Sequence, residues 1–254
     1  MKSIDELVKT VARLRSPDGC PWDKEQTHNT LKRYLIEEAY ETLEAIDNND
    51  SMALMEELGD VLLQIILHAQ IASETKQFTL EDVADYINKK MIKRHPHVFS
   101  NVIANTKEEV LVNWEKLKKE EKPERKDIFD GIPASLPALL KALKVSKKAA
   151  REGFDWSKES SIWEAMEKEI KELREAVKLK DKEQQEEELG DVLFMITNIA
   201  RWYKLDPEDT LNKGIKKFIK RYTRVKELSK DDLSKLSEEE LNKLWEKAKL
   251  GKGG

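Results

Sequence analysis

The sequence predicts an all-α protein built as two tandem helical repeats. Three observations carry that prediction. Apolar residues recur at helical spacing, and runs alternating at period two are absent. The 9 glycines and 7 prolines punctuate those helical patterns. The pattern of the first half also returns in the second at an offset of 131 residues, as from Leu31 to Ile162.

In the first half, helical periodicity predicts helices over Ile4–Arg15, Leu31–Asn48, Met52–Glu74, Leu80–Lys93 and Lys107–Glu121. In the second it predicts Leu136–Glu152, Ile162–Leu179, Lys182–Tyr203, Pro207–Lys226 and Glu238–Leu250. Four starts carry a hydroxyl followed three residues later by an acid: Thr79 with Asp82, Thr106 with Glu109, Ser161 with Glu164 and Ser237 with Glu240. Such pairs satisfy the first free amides of a helix reciprocally. The stretch around Lys118–Pro137, with three prolines and a charge run, reads as the connection between copies. The expected organisation is a first repeat over 1–120, a linker over 121–137 and a second repeat over 138–254.

Composition narrows the function. Charged residues make up 38% and the net charge is −4, with both signs interspersed. No basic block resembles an arm for nucleic-acid polymers, so that partner is not expected. Cys20 is the one cysteine, which excludes an intrachain disulfide and suits a reducing compartment. The start, MKSIDELVKT, has no apolar signal core, and the most apolar stretch, Val61–Ala72, is too short to span a bilayer. A cytoplasmic protein without a membrane partner is expected.

The chemistry lies in two carboxylate quartets. On the helix from Leu31, the inward stripe runs Leu31, Tyr34, Leu35, Glu38, Glu41 and Thr42. Its apolar face thus continues into two acids at i and i+3, which are neighbours on a helix. Glu57 and Asp60 repeat that spacing just before Val61–Leu67, a segment apolar nearly all round and so expected at the centre of a bundle. The second copy carries Glu169, Glu172, Glu188 and Asp191 at the same offset. A lone Glu-x-x-Glu is usually a solvated face. Two pairs on apolar faces, present twice, call for protons or a cation, because unpaired buried carboxylates are costly. An all-oxygen set favours magnesium, with manganese as the other hard ion, over zinc or copper. Magnesium with few protein ligands keeps positions for water and phosphate, which points to phosphoryl chemistry.

Other residues recur. Lys90 with Arg94, and Lys217 with Arg221, are i, i+4 pairs that could clamp phosphate oxygens, or simply form basic helix faces. Trp114 and Trp245 recur at the offset of 131 and could stack on a base or pack on the bundle. His68 has no histidine counterpart and reads as a core or interface polar residue. His95 and His97 lack a cysteine pair and do not read as a zinc site.

Glu37-Glu38-x-x-Glu41 followed by Glu57-x-x-Asp60 resembles the MazG nucleotide pyrophosphohydrolase motif. The segments Gly19-Cys20-Pro21-Trp22-Asp23, Gln26-Thr27-His28, His95-Pro96-His97-Val98-Phe99 and Gly153-Phe154-Asp155-Trp156 are similar to those of two-domain MazG proteins. The resemblance implies the all-α NTP pyrophosphatase fold, with bundles completed by homodimerisation. It implies magnesium-dependent hydrolysis of NTPs or dNTPs to the monophosphate and pyrophosphate, in a housecleaning or stress-response role. On that reading Glu38, Glu41, Glu57, Asp60, Glu169, Glu172, Glu188 and Asp191 are metal ligands. Glu37 or Glu38 would serve as base to an attacking water, while Lys90, Arg94, Lys217 and Arg221 bind and stabilise the triphosphate and Trp245 contacts the base. One departure stands out: Lys168 occupies the place of Glu37 in the second copy. The alternative is a helical protein that senses metal-nucleotide, or engages a regulator, without turnover.

Overall fold

The computed structural model describes residues 2–121, 127–229 and 231–250, without the side chains of Leu111, Glu115 and Lys119. Among the described residues the regular structure is helical, with no strand. The chain divides into two compact units, Met1–Lys122 and Pro123–Gly254.

The first unit contains α1 (Lys2–Leu14), α2 (Pro21–Glu25), α3 (His28–Asp47), α4 (Ser51–Glu74), α5 (Leu80–Arg94), α6 (Pro96–Phe99) and α7 (Lys107–Glu120). Helices α3 and α4 form an antiparallel hairpin, because only Asn48–Asp50 connect them. Asn49 turns the chain with a positive φ of 54°, and the Asp50 carboxylate caps α4 by accepting from the Met52 and Ala53 amides. Such a cap contributes about 1 kcal/mol. The core gathers Val11, Leu31, Ile66 and Leu67, bordered by Leu7, Val8, Tyr34, Leu62, Leu63, Ile71 and Leu80. Thus α1 and α5 cover the end of the hairpin opposite the α3–α4 turn.

The second unit contains α8 (Ala138–Arg151), α9 (Glu159–Leu179), α10 (Lys182–Trp202), α11 (Pro207–Leu228) and α12 (Glu238–Leu250). Here α9 and α10 form the hairpin, with Lys180 left-handed at the turn. The repeat is physical as well as textual: Leu31 and Ala45 of α3, and Ile162 and Ala176 of α9, are all buried.

Two glycine-containing turns in the chain have plain causes. A Cβ on Gly19 would meet the Leu14 carbonyl oxygen at 2.2 Å, so only glycine fits. Arg15 then crosses that loop, bonding Glu74 through two contacts of 2.8 Å and donating to the carbonyls of Asp23 and Gln26. In the second unit Gly153 turns the chain beyond α8 with a φ of +90°, and Asp155 then meets the guanidinium of Arg201. Arg201 also donates to Ser146, which bonds Asn198, tying α8 to α10.

Several expectations need correction. Ser161 does not cap a helix: α9 begins at Glu159 after an uncapped Lys158, leaving Ser161 inside the first turn. The boxes at Thr79 and Ser237 do form, and Glu109 bonds back to the Thr106 hydroxyl and to the amide of Asn105. Thr27 and Thr30 form a further box that opens α3 three residues earlier than expected. The short helices α2 and α6, each opened by proline, and a 3-10 turn at Leu233–Lys235 are additional. Residues 122–126 of the expected linker lie outside the described residues, whereas Ile128 and Asp130 offer carbonyls to Lys148 of α8. Finally, α4 is not enclosed within its own unit: Leu58 is 52% and Ile65 40% exposed. Its all-round apolar pattern exceeds what α1, α3 and α5 cover.

Leu31 and Ile162 have no exposed surface, so replacing either by alanine should cost about 2–5 kcal/mol in urea denaturation. A loss below about 1 kcal/mol would contradict their place in the core.

Candidate metal centres

The two hairpins bring acids together at mid-length. Glu38 and Glu41 of α3 meet Glu57 of α4, with one carboxylate oxygen of each within 4.8 Å of the others. Glu169 and Glu172 of α9 meet Glu188 of α10 in the same way. Glu41 is exposed and the other five are half-buried. The face is therefore less enclosed than the apolar stripe implied, since only one neighbouring helix covers it within each unit. Asp60 and Asp191 lie outside these triads but act on them: Asp60 bears on Glu38 and Glu57, and Asp191 on Glu188.

Electrostatics confirms the crowding. Glu57 is pushed above its ordinary 4.5, first by desolvation and then by the charges of Glu41 and Asp60. Glu38 rises through desolvation, then through Asp60 and Glu41. Glu188 rises for the same reasons, through desolvation, Glu172 and Asp191. Like charges that cannot separate favour either protonation or a cation. The donor set is all carboxylate oxygen, which fits a hard divalent ion.

The departure at Lys168 has a structural consequence. Its ammonium bonds Glu172 at 2.9 Å and lies 3.7 Å from Glu169, and these acids hold it above its ordinary value. The second cluster thus carries a tethered positive charge. In the first unit Glu37 stands on the exposed side of α3, beside Arg33, and is not part of the triad.

The basic pairs are placed differently in the two units. Arg94 is buried, bonded to Glu121 and stacked over Trp114 at 5.2 Å. Lys90 is half-buried and its charge reaches Glu121. Lys217 is exposed and Arg221 half-buried, and neither has an ion-pair partner among the described residues. Trp245 packs against Phe218 at 5.4 Å, and Phe218 stacks with Tyr222, so an aromatic patch flanks Arg221. His68 is half-buried and meets His28 ring to ring, Nδ1 to Nδ1 at 2.8 Å.

Sequence reasoning missed Glu121, which it placed at the start of the linker. It also missed Gln64, one turn beyond Asp60 on α4. Gln64 is 6% exposed, and its Oε1 is buried without a hydrogen-bond partner. A glutamine inside an apolar run was the available signal.

Comparison with known proteins fits this geometry. The MazG nucleotide pyrophosphohydrolase domain matches residues 26–99 and again 157–226, one match per hairpin. A protein of Thermotoga maritima named nucleoside triphosphate pyrophosphohydrolase/pyrophosphatase MazG is 45% identical over 252 residues, covering 98% of this chain and 96% of its own. The Escherichia coli nucleoside triphosphate pyrophosphohydrolase is 38% identical, with 98% of both chains covered. An uncharacterized protein of Bacillus subtilis, YabN, is 47% identical over 94% of this chain, which spans 50% of that longer protein.

The raised carboxylates give a test with a definite sign. A carboxylate held above its ordinary 4.5 opposes folding once pH exceeds that value, and the penalty grows until its own raised value is passed. In metal-free protein at pH 7, Glu57→Gln and Glu188→Gln should therefore each raise the melting temperature. The gain should vanish below the ordinary carboxylate range. Calorimetry in chelator and in magnesium should show the ion stabilising the parent chain more than either variant. Variants that melt lower than the parent in chelator at pH 7 would contradict the crowding.

Proposed function

The chain belongs to the MazG nucleotide pyrophosphohydrolase family and is a hydrolase of nucleoside triphosphates, and from that premise we propose that its two acid clusters are the magnesium sites at which the triphosphate is held and cut. The supporting observation is the carboxylate triad formed twice, once in each matched domain. The overall reaction adds water across one phosphoanhydride bond, releasing the nucleoside monophosphate and pyrophosphate.

The residues divide the work. Glu38, Glu41, Glu57 and Asp60 would hold the ion in the first unit, and Glu169, Glu172, Glu188 and Asp191 in the second. Magnesium, with manganese as a substitute, supplies charge neutralisation on the phosphate oxygens. Lys217 and Arg221 grip the triphosphate, the arginine as a two-pronged donor and the lysine as a point charge. Trp245 offers its face to the base beside Phe218. Glu37 or Glu38 would take a proton from the attacking water in the first unit. The second unit has Lys168 instead, so its base must be one of its remaining acids. The substrates are free NTPs and dNTPs of the cytoplasm, in a housecleaning role.

The assembly we propose is a homodimer. On α4, Leu58 and Ile65 are exposed, with half-buried Leu62 between them; on α10, Leu189, Leu193 and Ile196 repeat the pattern at the same offset. A second copy would cover both stripes. Gly59 and Gly190, each beside this stripe, leave open space around a built Cβ, which suits close approach of another helix. No described helix is long and apolar enough to cross a membrane.

The double variant Glu57→Gln/Glu188→Gln should lose pyrophosphate release by at least about a hundredfold with magnesium present. Full activity in that variant would exclude the clusters as the site. Light scattering should give a mass twice the 29.5 kDa of one chain, and a monomer at micromolar concentration would remove the dimer.

A further inference from the structure

The two units dispose of their basic pairs in opposite ways. In the first, the Arg94 side chain is only 7% exposed. It donates through Nε at 3.1 Å and through Nη2 to the same oxygen of Glu121. Lys93 lies 3.8 Å from the other carboxylate oxygen, and Lys90 adds its charge nearby. Glu121 thus collects three of the four cations in the last turns of α5, and they hold its carboxyl below the ordinary range, Arg94 foremost. Trp114 closes over the guanidinium. A carboxylate in this setting offers what a phosphate would: negative charge and acceptor oxygens for a guanidinium.

The second unit has nothing comparable among its described residues. Arg221 and Lys217 carry no ion pair there, and Trp245 turns to Phe218. At the offset of 131 the counterpart of Glu121 is Lys252, of opposite charge.

We propose that Glu121 is an internal anionic stand-in for the triphosphate. It occupies Lys90 and Arg94, so the first unit takes nucleotide only after displacing it, while the second takes nucleotide directly. The inference rests on the reading that these basic pairs bind triphosphate. Its physical basis is competition: a buried guanidinium already paired gains little by exchanging one anion for another, so apparent affinity falls by the fraction of time the pair is open. Glu121 sits one residue beyond α7, held to it by a backbone bond to Leu117. Release therefore requires only the end of that helix to move.

The test isolates the first unit by disabling the second with Glu188→Gln in the full chain. Pyrophosphate release from MgATP is followed in this background with and without Glu121→Gln. Removing the competing charge should lower KM by about tenfold or more, with a smaller change in kcat. Adding Arg94→Ala to the same chain should cancel the gain. Glu121→Asp keeps the charge and draws it back by one methylene, so it should give an intermediate KM and covers the case in which glutamine disturbs α7. An unchanged or higher KM with both substitutions, or no turnover in any of these chains, overturns the proposal. The parent chain and Glu57→Gln, assayed alongside, report on the underlying reading. If they release pyrophosphate while Glu121 substitutions do nothing, masking alone has failed. If the parent chain releases none, the catalytic reading has failed.

Discussion

Each unit depends on an antiparallel helix pair whose apolar ends force like charges together in the middle. On α3, buried Leu31 and Ala45 stand on either side of Glu38 and Glu41; on α9, buried Ile162 and Ala176 flank Glu169 and Glu172 in the same way. Hydrophobic burial at both ends of the seam is non-directional and strong. It sets the separation of the helices, and the acids between lie close together. The raised carboxylates Glu38, Glu57 and Glu188 are the cost of that arrangement, and a divalent cation is its natural relief.

The remaining packing serves to hold the hairpins in place. Arg15 in the first unit and Arg201 in the second each fork onto a carboxylate and reach a second group, Arg15 bracing the loop after α1 and Arg201 joining α8 to α10. Both forks are bidentate, the geometry in which a guanidinium specifies position as well as charge. They account for the glycine-containing segments around Gly19 and Gly153, whose side-chain-free turns let the chain reach these arginines.

Duplication has not produced two equal sites. Among the described residues, the first unit sets no cation against its acid triad but pairs Arg94 with Glu121. The second leaves Arg221 unpaired among the described residues but sets Lys168 against Glu169 and Glu172. Among the described residues, the counter-ion thus sits on the arginine of α5 in the first unit and among the acids of α9 in the second.

Sequence alone determined the helical class and the repeat, and it singled out the six acids that the hairpins bring together. These are one-dimensional properties: helical periodicity shows which residues share a face, and a constant offset shows which are equivalent. Boundaries were legible wherever a capping pair was unique, as at Thr79 and Ser237, and misread at Ser161 because an uncapped start two residues earlier left no local signal. Only the tertiary structure decided which acids make the triads, with Asp60 and Asp191 outside them, and that α4 keeps part of its apolar surface open. It alone decided that Arg94 is spoken for. Glu121 lies 27 residues away along the chain, and nothing in the spacing of α5 or α7 reports that packing sets the end of one against the end of the other.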